Sequence, residues 1–167
     1  MKIEMELHDL NDIMKKFPQA GPIINRLGRR TMAASLSHFE EQVSGETPVN
    51  FGTLRAGWAT DMFGAPVAAV FEGKVVNPTL YGEVVEVGRK PGTWPPRGPI
   101  ELWVIRKLGI PAGEESRSVA FLIARKIGTK GTDGAFMMKR GFENGLPKVK
   151  KLWNALPDAI IRALGAK

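Results

Sequence analysis

The apolar positions along this chain change their period several times, and each change marks an element. Ile3, Met5 and Leu7 alternate with Lys2, Glu4, Glu6 and His8, the period of two expected of a half-buried strand. Asp9 or Asn11 then offers a cap for a short helix through Ile13 and Met14, punctuated by Pro18, Gly21 and Pro22. From about Pro22 to Val43 the pattern turns helical, with Met32, Leu36, Phe39 and Val43 on one face. Pro22 suits a first turn, and Gly45 with Pro48 ends the helix.

A connector follows, from Thr47 to Trp58. Pro48 forbids helix continuation and pushes Thr47 to extended geometry, while Asn50 and Gly52 supply turn chemistry. Leu54 and Trp58, four residues apart, can anchor one face of a short helical turn or a strand start. Strands are expected at about 57–63, 66–72 and 74–76, with Glu72-Gly73-Lys74 as a hairpin turn. Tyr81–Val87 fits either a strand or a short helix.

Arg89 to Pro99 is rich in Gly and Pro and reads as a loop, of a length often found at functional or mobile sites. Two short helices are expected after it. Ile100, Trp103, Val104 and Leu108 stripe the first; Val119, Ala120, Ile123, Ala124 and Ile127 stripe the second, which ends at Gly128. A C-terminal helical stretch begins near Met138, interrupted around Asn144, Gly145 and Pro147, with Pro157 kinking or restarting it. The resulting expectation is an α+β fold. A small, mainly antiparallel sheet packs against a long helix in the N-terminal half and a C-terminal helix, as a single domain over 1–167 with a helical insert at 89–135.

Composition narrows the function more than the fold. The 167 residues include no Cys, which excludes disulfides, Cys-based zinc sites and thiol catalysis. No apolar run is long enough for a membrane span, and the acids near the N-terminus do not suit a signal peptide. The net charge of +7 is concentrated: residues 89–151 hold fourteen Lys and Arg against five acids. Such a surplus attracts nucleic acid, an acidic protein or an anionic surface, although a solvated basic face is the commoner reason for one.

Sites of chemistry are weakly signalled. Gly128-Thr-Lys-Gly-Thr-Asp-Gly134 lacks the strand and the Gly-Lys-Ser/Thr order of a phosphate loop, so a flexible linker is the better reading. His8 and His38 are too few for a metal site, and no nucleophile is placed to use His38 as a base. Glu83 and Glu86 have a spacing common on solvent faces. No catalytic, cofactor or metal site is expected. Trp103 and Trp153 fall on apolar stripes and suit the core, whereas Trp94 lies in the loop as a candidate interface anchor. Arg89, Lys90, Arg97, Arg106 and Lys107 surround it in sequence, and Lys130 lies further on. Basic residues around an aromatic suit single-stranded nucleic acid, or a channel that contacts DNA phosphates without sequence preference.

Two motifs carry a resemblance. Thr47, Pro48, Val49, Gly52, Leu54, Arg55 and Trp58 fit Thr-Pro-Val-Asp-x-Gly-x-Leu-Arg-x-x-Trp, with Asn50 in place of the Asp. Tyr81, Val84, Glu86 and Gly88 fit Tyr-x-x-Val-x-Glu-x-Gly. The pair resembles the tail-component family of long-tailed bacteriophages named for phage HK-ninety-seven, which lies near minor tail protein Z and the neck or tail-completion proteins. A third feature of that family, Phe-Leu-x-x-Ala, has an altered counterpart in Phe136-Met-Met-Lys-Arg-Gly141.

The resemblance implies a non-enzymatic structural protein of the virion, assembled in the bacterial cytoplasm. Copies of the chain would form a ring at the neck, completing the tail and joining it to the head. Its implied partners are other tail and neck proteins and genomic DNA passing through the lumen; no membrane is expected. In that reading Glu86 supports a fold contact or an intersubunit ion pair. A tail terminator, a non-specific nucleic-acid-binding module and a small hydrolase are the alternatives, the last lacking any nucleophile-and-base set.

Overall fold

The structure is a computed structural model that describes residues 2–5, 20–63 and 70–165. The expected helix through Ile13 and Met14 and the start of the expected 66–72 strand lie outside the described residues, as does His8. The chain divides into two units. The first comprises residues through Thr47, Thr53–Thr79 and Met137 onward; the second joins Pro48–Gly52 to Leu80–Phe136. The second unit therefore begins before Arg89, where the sequence placed the insert.

The spine of the first unit is α1, Ala20–Glu46. Ala20, Ile24, Gly28, Met32, Leu36, Phe39 and Val43 form its buried stripe, extending the expected apolar face toward the N-terminus. Gly45 does not end this helix. It is helical and exposed, and the helix stops at Glu46, where Pro48 disfavours helical geometry at Thr47. A single turn, α2 (Thr53–Ala56), follows the connector.

Strands β1 (Lys2–Met5), β2 (Ala59–Phe63) and β3 (Phe71–Val76) form an antiparallel sheet in the order β1-β3-β2. Glu72, Gly73 and Lys74 lie inside the central strand, correcting the expected hairpin turn. Gly73 is there for packing: a Cβ on it would come 2.6 Å from Cδ1 of Leu36, so the missing side chain admits α1. The fit is mutual. Gly28 of α1 leaves room for the ring of Phe71, which a Cβ would strike.

Helix α6 is continuous from Met137 to Asn154, with Pro147 inside it, and α7 (Leu156–Ala163) restarts around Pro157. Asn144, Gly145 and Pro147 thus do not interrupt the helix. Gly141 and Gly145 sit one turn apart on the face that meets α1. A Cβ would come 2.6 Å from Cα of Val43 at Gly141, and 2.7 Å from Cδ1 of Phe39 at Gly145. The two helices are close because these positions lack side chains. Phe39 and Phe142 stack with centroids 5.0 Å apart, and Trp153 packs at 6.0 Å from Phe71. Trp153 also donates its indole N–H to Ser35 Oγ at 3.1 Å, and the Ser35 hydroxyl donates to the Thr31 carbonyl. Sheet, long helix and C-terminal helix share one core, an α+β fold.

The second unit contains α3 (Gly82–Val87), β4 (Gly88–Arg89), α4 (Arg97–Trp103), a π-helical turn (Val104–Leu108), α5 (Glu114–Lys130) and β5 (Thr132–Asp133). Tyr81–Val87 resolves into a helix preceded by Tyr81. Helix α4 starts at Arg97, inside the expected Arg89–Pro99 loop, with Pro99 in its first turn. The apolar stripe of α4 is only partly core: Val104 is fully buried, Trp103 half-buried and Leu108 exposed.

Candidate functional site

In the first unit, Thr47, Arg55 and Trp58 of the motif form a hydrogen-bonded clasp at the end of α1. Thr47, buried to 1% exposure, donates its hydroxyl to the Val43 carbonyl at 2.6 Å. The same oxygen accepts the indole N–H of buried Trp58 at 2.8 Å. Arg55 donates Nη2 to the carbonyls of Gly45 (3.3 Å) and Thr47 (3.1 Å), placing a cation at the helix C-terminus. Leu54 is buried between these groups in sequence, and its carbonyl accepts from Asn77 Nδ2 at 2.6 Å. Asn77 Oδ1 in turn accepts from the backbone N–H and hydroxyl of Thr79. Thr47, Arg55 and Trp58 are therefore joined through one hydroxyl and one carbonyl of Thr47.

Pro48–Gly52 belongs to the second unit. Gly52 has φ +82°, the left-handed geometry that turn chemistry demanded of it. Phe51 is 53% exposed and receives the Arg106 guanidinium 4.4 Å from its ring centre. Asn50 Oδ1 is buried with no hydrogen-bond partner among the described residues.

The second motif closes a small ladder. Gly88, at φ +80°, pairs with Asp133, and a Cβ on it would strike the Thr132 carbonyl. Gly131, at φ +76°, lies as close to the Arg89 carbonyl. Ala135 and Phe136 donate their backbone N–H groups to the Val85 and Glu86 carbonyls at 2.8 and 3.0 Å. The expected flexible linker at 128–134 is instead the last turn of α5 and a paired strand, because its glycines let two backbones touch. Glu86 is half-buried, and Tyr81 is exposed.

Trp94 is not free of packing. Its ring lies over Gly128, 2.8 Å from where a Cβ would stand, and 5.9 Å from Phe121 at an angle of 45°. Arg97 covers Phe121 at 5.2 Å. Of the basic residues expected around Trp94, Arg97 is the one that shares an aromatic neighbour with it, while Arg106 pairs with Phe51. Arg89 contributes its backbone N–H to Thr132 Oγ1, and Lys90, Lys107 and Lys130 are exposed. The sequence reading missed Phe121 and Phe51. Phe121 and Gly128 are two helical turns apart, a spacing that marks a shared face, but the loop residue that uses it was not predictable from either.

The cap of α5 is built by Ser116, which is fully buried. Its hydroxyl oxygen accepts the Gly113 N–H at 3.0 Å and lies 3.1 Å from Glu101 Oε1. His38 stands 3.4 Å from Glu41 on α1. Among the described residues, no three His, Asp or Glu side chains gather as a metal-binding group would. No described helix is long and apolar enough to cross a membrane.

Exposed apolar surface is unevenly shared. Among the described residues, twelve of the fourteen exposed large hydrophobic side chains belong to the second unit and two, Phe63 and Ile161, to the first. Buried hydrophobic residues of the second unit are Val104, Ala120 and Ala124. Comparison with family models, curated proteins and solved structures finds no match to this chain.

Proposed function

We propose that this protein is a non-enzymatic structural component of a long-tailed phage particle, completing the tail and joining it to the head as a ring of copies at the neck. The observation that carries the reading is the clasp. Thr47, Arg55 and Trp58, which fit the tail-component signature, hydrogen-bond together at one helix end, which supports reading the motif as architectural rather than catalytic. The protein is then made in the bacterial cytoplasm and carried in the virion, with tail and neck proteins as its neighbours.

Electron microscopy of particles from the encoding phage, with this gene deleted, tests the reading. Filled heads beside separate tails of normal length are the expected result. Tails of uncontrolled length would make the protein a terminator, and normal infectious particles would remove it from the virion.

A further inference from the structure

Two guanidinium groups of the second unit rest on phenyl rings, Arg97 on Phe121 and Arg106 on Phe51. Trp94 extends the first of these pairs. Its indole is seated over Gly128 and tilted against Phe121, which fixes its orientation, yet the residue remains 47% exposed. Beside this aromatic pair lies an open cleft of about 400 Å³, lined by Arg97, Glu114, Arg117, Ser118, Phe121 and Leu122.

Arg97 is the basic side chain that both lines this cleft and covers Phe121. Among the described residues, Arg89, Lys90, Arg97, Arg106, Lys107 and Lys130 have no carboxylate within ion-pair distance. Arg117, which also lines the cleft, is paired instead, its Nε 3.8 Å from Glu101 Oε1.

We propose that the Trp94–Phe121–Arg97 surface binds single-stranded nucleic acid without sequence preference. A base stacks on the open part of the Trp94 indole, and a backbone phosphate meets Arg97. Stacking requires a base that has left its duplex, which is why a single strand fits and a paired one does not. An acidic peptide would satisfy the guanidinium groups but offers no repeated planar partner for a fixed indole. The proposal stands on this surface alone and does not depend on the virion reading.

The test is fluorescence anisotropy of a labelled oligothymidylate of about 16 nucleotides, one site's length. The whole protein is titrated at several salt concentrations, with a duplex of equal length and polyglutamate as competitors. The single strand binds more tightly than the duplex, and Trp94→Ala weakens it about five- to a hundredfold. Trp94→Phe keeps most of the affinity, and Arg97→Gln lowers the salt slope by about 0.7 for the phosphate it contacts. Circular dichroism checks each fold. Should Trp94→Ala unfold, Phe121→Leu, which keeps bulk but removes the ring, must still lose affinity. Absence of binding by the wild type, or unchanged affinity in folded Trp94→Ala or Phe121→Leu, overturns the proposal. Polyglutamate competing as well as the oligonucleotide also overturns it, in favour of an acidic protein partner.

Discussion

Trp58 donates its indole N–H to the hydroxyl of Thr47 across 2.8 Å, and both side chains are buried where α1 ends. That hydroxyl spends its own proton on the Val43 carbonyl, so one oxygen joins the helix end to the start of β2. Thr47→Val keeps the shape and removes both bonds, leaving a buried indole N–H and a carbonyl without partners. It is expected to cost about 1–3 kcal/mol in urea denaturation, whereas Thr47→Ser stays near wild type. Equal stability of the Val variant would show that the clasp contributes nothing.

Glycines in helices carry opposite predictions. Gly141→Ala drives a methyl into the backbone of α1 at Val43, which cannot yield without separating the helices, and should cost about 1–3 kcal/mol or more. Gly45→Ala, with nothing within 4 Å of its added carbon, should stabilise by about 0.5–1 kcal/mol. Thermal melts of the two variants must move in opposite directions.

Hydrogen exchange distinguishes a linker from a ladder at 128–134. The backbone N–H groups of Gly92, Gly131, Ala135 and Phe136 donate to Gly128, Ile127, Val85 and Glu86, so all four should exchange slowly. Exchange at the rate of an open chain would contradict the paired arrangement.

Arg140 and Asn144 both donate to the Glu46 carboxylate, at 2.7 and 3.1 Å, on an accessible surface. Arg140→Ala should therefore cost less than about 1 kcal/mol, and the difference should shrink as salt is raised.

The long helix, the C-terminal helix and the α+β class were legible because each rests on a periodic apolar face. What the sequence concealed lies mostly at glycine. Gly73, Gly128 and Gly145 read as a turn, a helix end and an interruption, yet all three are interior positions where a side chain from elsewhere takes the vacant space. Local propensity registers the missing Cβ but not the Leu36, Trp94 or Phe39 that fills its place. The clasp residues stood out as a string, since proline and turn chemistry act locally. Their hydrogen bonds, which reach from Thr47 to Trp58, appear only once the helix and strand are in place. The aromatic pairing of Trp94 with Phe121 spans a loop and a helix, and no periodicity links them.

The most direct test of the proposed role is the protein's location in a finished particle. Virions purified from the encoding phage, labelled with gold-conjugated antibody against this chain, should carry a single focus where head meets tail. Gold along the whole tail, or particles lacking the protein by both labelling and mass spectrometry, would contradict the assignment.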